Sequence, residues 1–207
     1  MAASPVSASV DSTRERVLAA AADLTAEAGW SAVTMSAIGD RIGVSRQTVY
    51  NEVGSKPALA EAMVLREVAL FLDGVEQAFA AHPQELYSAI QEAALSILER
   101  AQTSALLGAV VSAEYGAVSD LLPLITTRNT ALVEMAKALV SDFLLRYDGI
   151  EADDPALPYI MDTIIRVVLS HVMQPGGTPS EVAQHLAWLV VRLVDAAWHE
   201  IPHTPSA

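Results

Sequence analysis

Hydrophobic side chains recur along most of this chain at spacings of three and four residues, the pattern of α-helices with one buried face. No segment shows the strict alternation of a half-buried β-strand, and no internal repeat is evident. Glycines, prolines and capping residues divide the pattern into about nine predicted helices. Their expected ranges are 12–28, 34–42, 45–53, 55–81, 83–102, 104–115, 122–147, 156–173 and 178–199. The sequence therefore predicts an all-α protein.

Several helix starts are marked by polar side chains that can accept hydrogen bonds from free backbone N–H groups. Ser12 with Glu15, and Thr178 with Glu181, each fit a capping box, in which the hydroxyl and the carboxylate both bind backbone N–H groups. The other expected starts are Thr34, Ser45, Ser55 and Pro83.

The apolar content is high: 52% of the 207 residues are hydrophobic and the mean hydropathy is +0.34. This excess favours an oligomer interface or an apolar cavity in addition to an ordinary core, although an Ala-rich helical protein would also raise the figure. The longest stretch without a charged residue, Val167–Ser180, is too short to span a membrane and contains Pro175. With no secretory signal and no cysteine, we expect a cytoplasmic protein with no membrane partner and no disulfide.

Charge is distributed unevenly along the chain. The formal net charge is −13, yet residues 1–60 hold five basic and six acidic side chains, against seven basic and nineteen acidic in the remainder. Phosphates would repel the acidic part, so any contact with nucleic acid must be local and made by the first segment.

Residues 34–53 have the spacing of a helix-turn-helix, with Gly43 at the turn and the small Gly39 where the two helices cross. Ile38, Ile42, Val44 and Val49 would hold the two helices together. The opposite face of the second helix would then expose Arg46, Gln47, Tyr50 and Asn51, with Ser45, Thr48 and Lys56 at its edges. Arg can pair with guanine and Gln with adenine, while hydroxyls and Lys suit phosphates.

The run TMSAIGDRIGVSRQTVYNEVGSKPALAEAM, residues 34–63, resembles the DNA-binding signature of the TetR family of transcriptional regulators. The resemblance covers residues 12–65 and implies a three-helix DNA-binding domain followed by a helical ligand-binding and dimerisation domain. It implies phosphate contacts from Thr34, Ser45, Thr48, Tyr50 and Lys56, contacts near base edges from Arg46, Gln47 and Asn51, and an approach to the DNA by Arg14. Two positions depart from the family pattern: Glu52 stands where His or Tyr is usual, and Val53 where Phe is usual.

The last two predicted helices carry enough apolar positions for two neighbours. The resemblance implies that they form a four-helix dimer interface, with a single well-packed domain as the alternative. The expected interface residues are Ile164, Val168, Val182, Leu186, Leu189 and Leu193.

The fourth to seventh predicted helices are expected to enclose a cavity for a hydrophobic effector, such as a fatty acid or an acyl derivative. The candidate lining residues are Phe71, Leu98, Leu106, Val110, Glu114, Tyr115, Arg128, Met135, Phe143 and His171. With no cysteine for a thiolate site, we predict neither a metal site nor a cofactor.

The predicted organisation is a flexible lead (1–11), a DNA-binding domain (12–56), a ligand-binding and dimerisation domain (57–201) and a flexible tail (202–207). We find no P-loop, GxSxG, HExxH or dinucleotide-binding glycine pattern, so an enzyme is not expected. The predicted function is a homodimeric repressor that a hydrophobic molecule, connected with lipid metabolism, releases from a palindromic operator. When bound to DNA it would be associated with the nucleoid. A helical lipid carrier without specific DNA binding is the alternative, but it leaves residues 34–56 unexplained.

Overall fold

The computed structural model describes residues 12–104, 106–108, 129–147, 150, 152–155 and 157–197. In this part of the chain the regular structure is helical, with no strand. The α-helices are α1 (Thr13–Ala28), α2 (Met35–Ile42), α3 (Arg46–Val53), α4 (Lys56–Ala81), α5 (Leu86–Thr103), α6 (Asn129–Leu144), α7 (Leu157–Met173) and α8 (Pro179–Ala197), with a 3-10 turn at Trp30–Ala32. The all-α prediction is confirmed.

The predicted starts of the first four helices are confirmed in detail. The hydroxyls of Ser12, Thr34, Ser45 and Ser55 accept hydrogen bonds from backbone N–H groups three residues further on, at 3.0–3.4 Å. Because each cap needs only local geometry, four residues of sequence are enough to place it.

Two details of the predicted helix starts are wrong. Pro83 does not open α5, because the N–H of Glu85 donates to the carbonyl of His82 at 3.3 Å and closes a turn with Pro83 at its second position. The first capping box is only half formed, because the carboxylate of Glu15 accepts from Arg66 Nε of α4 at 2.8 Å instead of binding the backbone. The second box, Thr178 with Glu181, forms in both directions.

We call residues 12–64, which comprise α1 to α3 and the first turns of α4, the head. Its core is built on Val17, Ile38, Val49 and Leu59, all fully buried. Leu106, far along the chain, belongs to the same core. The predicted boundary at residue 56 stays a prediction, but the hydrophobic core continues beyond it into α4.

We call the described residues from 65 to 197, except Leu106, the body. Here α5 packs against α4, α7 and α8, and α6 packs against α4 and α7. With 26 residues, α4 is about 39 Å long and belongs to both regions. No helix in the described ranges is long and apolar enough to cross a membrane.

Two side-chain clusters fix the far end of the body. Phe79 stacks on Phe143 with ring centroids 5.1 Å apart, and Tyr147 meets Phe79 edge-on and donates its hydroxyl to the carbonyl of His82 at 2.5 Å. Asp162 of α7 accepts from Lys137 of α6 at 2.6 Å and from Arg166 of its own helix. The hydrogen bonds from Arg166 and then Lys137 lower the pKa of the Asp162 carboxyl to about 2.

Candidate nucleic-acid interface and ligand cavity

The turn between α2 and α3 depends on two glycines. Gly43 has φ of +74°, in the left-handed region, and ends α2. A Cβ on Gly39 would lie 2.7 Å from the carbonyl oxygen of Val44 and 3.4 Å from the backbone nitrogen of Arg46. Because those atoms are backbone, no side-chain rotation could relieve the contact. The small residue at the crossing is therefore required, as the sequence predicted.

One face of α3 presents the predicted reading residues to solvent: Arg46, Gln47, Tyr50 and Asn51 are all exposed. They are paired with one another. The guanidinium of Arg46 lies over the Tyr50 ring at 5.3 Å, and Gln47 Nε2 donates to Asn51 Oδ1 at 3.0 Å. The opposite face carries the buried Val49. The helix thus presents four polar side chains to solvent, and side chains such as Arg, Gln and Asn can bind base edges in a major groove.

The expected phosphate-binding residues lie around this face, and several of them also stabilise the head. Ser45 and Thr34 are exposed N-caps, and Thr48 Oγ1 is 2.9 Å from Ser45 Oγ. Lys56 Nζ donates to the carbonyls of Trp30 and Ser31 at 2.9 and 3.4 Å, and lies over the Trp30 ring.

Arg14 joins the first helix to the third, because its guanidinium donates to the backbone carbonyl of Glu52. Any residue at position 52 would supply that carbonyl, so the contact does not explain the Glu52 side chain. Arg16 makes an equivalent bond from α1 to the carbonyl of Ile42, at 2.6 Å. These bonds satisfy carbonyls at the ends of α2 and α3. They fix the reading helix on its support.

The body encloses an apolar cavity of about 310 Å³, at the lower end of the usual range for small-molecule sites. Its lining comes from α4 to α8 and from Leu106 and Leu107. Among the described lining residues Glu67 is the one polar side chain; every other member is Ala, Val, Leu, Ile, Met or Phe. A molecule in this cavity would therefore contact hydrocarbon almost everywhere.

The predicted ligand residues fall into four groups. Phe71 and Leu106 line the cavity. Leu98 and His171 line a separate small cavity of about 50 Å³ beside the α7–α8 turn, and Phe143 packs behind Phe79. The Met135 side chain and the whole of Val110, Glu114, Tyr115 and Arg128 lie outside the described residues.

The predicted dimer residues are placed differently from one another. Ile164, Val168 and Leu186 line the cavity, and Val182 is buried against α5, so the subunit's own interior uses all four. Leu189 and Leu193 are half-buried. The interface assignment stays a prediction. Two aromatic residues of these helices that the sequence prediction did not select are exposed, Trp188 (58%) and Tyr159 (76%).

Glu67 was also missed. In the sequence Glu67 follows Arg66, and such a neighbouring pair is typical of a solvent-exposed helix face. In the structure the two side chains point in different directions. Arg66 binds Glu15 of the head, and Glu67 lines the cavity. Successive helical residues point about 100° apart, so the adjacency of Arg66 and Glu67 was the one signal in the sequence that their side chains face different surroundings.

Known proteins match both regions. A family model described as bacterial regulatory proteins, tetR family, matches residues 17–63, and one described as the C-terminal domain of the bacterial tetracycline repressor matches residues 85–192. The HTH-type transcriptional regulator AlkX of Mycobacterium tuberculosis is 33% identical over 178 residues, covering 86% of this chain and 82% of that protein.

Solved structures agree. The TetR family repressor AlkX from Dietzia sp. strain DQ12-45-1b, implicated in biodegradation of n-alkanes, is 28% identical, with a TM-score of 0.69 over 89% of this chain and 96% of that one. The Thermus thermophilus repressor FadR, in complex with lauroyl-CoA, shares the fold at 22% identity, with a TM-score of 0.56 over 94% and 98% of the two chains. With its helix-turn-helix and C-terminal helical domain, this chain belongs to the tetR family of bacterial regulatory proteins and is a DNA-binding transcription regulator.

Proposed function

We propose that this regulator is a homodimeric repressor that a hydrophobic small molecule releases from a palindromic operator. The observation that carries the proposal is the double role of α4. Its first turns hold the head through Leu59 and Met63, and its middle lines the cavity through Val68 and Phe71. A ligand that moves the middle of α4 therefore acts on the element to which the reading helix is attached.

The cavity and the head also share residues directly. Val64 and Leu106 belong to the core of the head and line the cavity at the same time. Since packed cores rearrange between discrete states, a ligand that displaces either side chain changes the support of α3. The ligand must bind the two arrangements with different affinity for this coupling to exist.

On DNA, two copies of α3 would enter successive major grooves about 34 Å apart, as in other symmetric helix-turn-helix dimers. The exposed Trp188 of α8 supports a partner subunit against that helix. The acidic body, turned away from the DNA, limits binding to unrelated sequences. The Dietzia relative's link to n-alkane biodegradation supports an effector that is largely hydrocarbon. We expect a cytoplasmic protein.

The test is fluorescence anisotropy of the full chain with the DNA upstream of its own gene, against a scrambled duplex of equal length. We expect a specific complex that weakens steeply with salt and dissociates when a hydrophobic effector is added. Equal affinity for both duplexes would contradict the operator role and favour a carrier. A monomer in sedimentation of the DNA-bound protein would contradict the dimer.

A further inference from the structure

Glu67 lines the cavity, and one of its two carboxylate oxygens is unsatisfied. Glu67 Oε1 is shielded from solvent and has no hydrogen-bond partner among the described residues. A buried polar atom without a partner costs free energy that a bound donor would recover. The rest of the described wall is hydrocarbon, so the Glu67 carboxylate is where a ligand's polar group would be directed.

The chemistry of a carboxylate restricts that polar group. An ionised carboxylate accepts hydrogen bonds but has none to donate, and it repels another carboxylate. A free fatty acid therefore fits this wall poorly. A primary ammonium would form an ion pair with the carboxylate, but it brings three donors into a wall whose one unsatisfied oxygen accepts from one of them, whereas a hydroxyl brings a single donor.

We propose, building on the function above, that the effector is a compact hydrocarbon with one hydroxyl group, which donates to the Glu67 carboxylate. The cavity is about twice the 150 Å³ that accommodates benzene, so it admits a ligand of about twelve non-hydrogen atoms. A medium-chain primary alcohol has this composition.

The position of Glu67 also gives the contact a regulatory consequence. The preceding residue, Arg66, binds Glu15 of α1 at 2.8 Å and ties α4 to the head. A hydroxyl bound to Glu67 pulls on α4 one residue from that tie. The hydroxyl group of the ligand, as well as its hydrocarbon chain, thus contributes to release from DNA.

The test uses isothermal titration of the full chain at neutral pH, without DNA, with decan-1-ol, decanoate and decylamine. We expect decan-1-ol to bind about tenfold to a hundredfold more tightly than decanoate, the value of one hydrogen bond to a charged group. Tighter binding of decanoate or of decylamine overturns the proposal, as does the failure of all three to bind.

Variants of Glu67 separate recognition from structure. Glu67→Gln keeps the shape and gains N–H donors, so it should bind decanoate better and reduce the preference for the alcohol to less than about threefold. Glu67→Leu should lose about tenfold in affinity for decan-1-ol. Glu76→Gln, exposed on the same helix, is the matched control and should behave as the wild type. An unchanged preference in Glu67→Gln, which preserves side-chain volume, overturns the proposal even if Glu67→Leu does not fold.

The two proposals fail separately. If decan-1-ol binds through Glu67 but the operator complex persists, the inference stands and the repressor mechanism falls. If hydrocarbons release the operator complex with no dependence on Glu67, the repressor mechanism stands and the inference about the hydroxyl group falls.

Discussion

The head and the body of this regulator are held together in different ways. In the head, hydroxyl caps fix the helix starts, and Arg14, Arg16 and Lys56 bind carbonyls at helix ends or in the 3-10 turn. In the body, five helices and Leu106 surround a cavity of about 310 Å³ lined by hydrocarbon, with Glu67 as the one polar member among the described lining residues. The difference teaches that hydrogen bonds at helix ends fix the head, whereas the helices of the body leave space between them.

Matched leucine truncations in α4 should show this contrast most strongly. Leu59 is fully buried in the head, so Leu59→Ala should lower the free energy of unfolding by about 2–5 kcal/mol. Leu72 is half-buried and already faces the cavity, so Leu72→Ala should cost less than about 2 kcal/mol. Urea unfolding of both variants measures the difference. Equal losses would show that the body is packed as tightly as the head.

A single added methyl group should also distinguish the regions. In Gly39→Ala the new carbon meets backbone atoms of the α2–α3 turn, so we expect a loss of about 1–3 kcal/mol in stability and a loss of operator binding. Thermal unfolding and anisotropy measure the two effects. Asp40→Ala, exposed on the same helix, is the control. If Gly39→Ala bound the operator normally, the close crossing would not matter for reading.

Lys56 tests whether one side chain can both stabilise the head and hold a phosphate. Lys56→Ala removes its bonds to Trp30 and Ser31 and should cost about 1 kcal/mol in stability. If it also binds a phosphate, the slope of log affinity against log salt falls by about 0.9, equally for all sequences. Lys137→Ala, in the body, should leave that slope unchanged. A normal slope in Lys56→Ala would limit Lys56 to its structural role.

The smallest effect should come from the ion cluster between α6 and α7. The pKa of Asp162 is lowered from 3.8 to about 2, so its contribution to stability is complete above pH 3.8 and is lost as the pH falls towards 2. Asp162→Asn should therefore flatten the fall in stability over that window, measured by urea unfolding at each pH. A wild-type profile in the variant would contradict the assignment.

Sequence reasoning succeeded where structure is local. Ser45, Gly43 and Ser55 specify helix ends through atoms within four residues, and the family resemblance of residues 34–63 rests on the same short-range pattern. Pro83 shows the limit, since proline suits both a first helical turn and the second position of a β-turn. The turn at Pro83 is held by the hydrogen bond from the Tyr147 hydroxyl to the His82 carbonyl, and these two residues are 65 apart in the sequence.

The cavity could not be read from the sequence in the same way. An apolar residue that lines a cavity and one that fills a core look alike along the chain, and the two are separated by packing between distant helices. Phe71 and Leu106 line the cavity, whereas Phe143 lies behind its wall with its ring stacked on Phe79, and the ligand contacts of all three stay a prediction. Glu67 was not selected, because a charged residue that lines a cavity looks the same along the chain as one on a solvated helix face.

The double placement of Leu106 has a consequence for how such a regulator diverges. Duplicated copies can acquire new inducers by exchanging wall residues such as Phe71 or Ile165, which do not belong to the core of the head. Under the proposed mechanism, a change at Leu106 should alter inducer selectivity and operator affinity together, because its side chain belongs to the core of the head and also lines the cavity. Selection for a new inducer should therefore spare this position, while selection for altered basal expression should find it repeatedly.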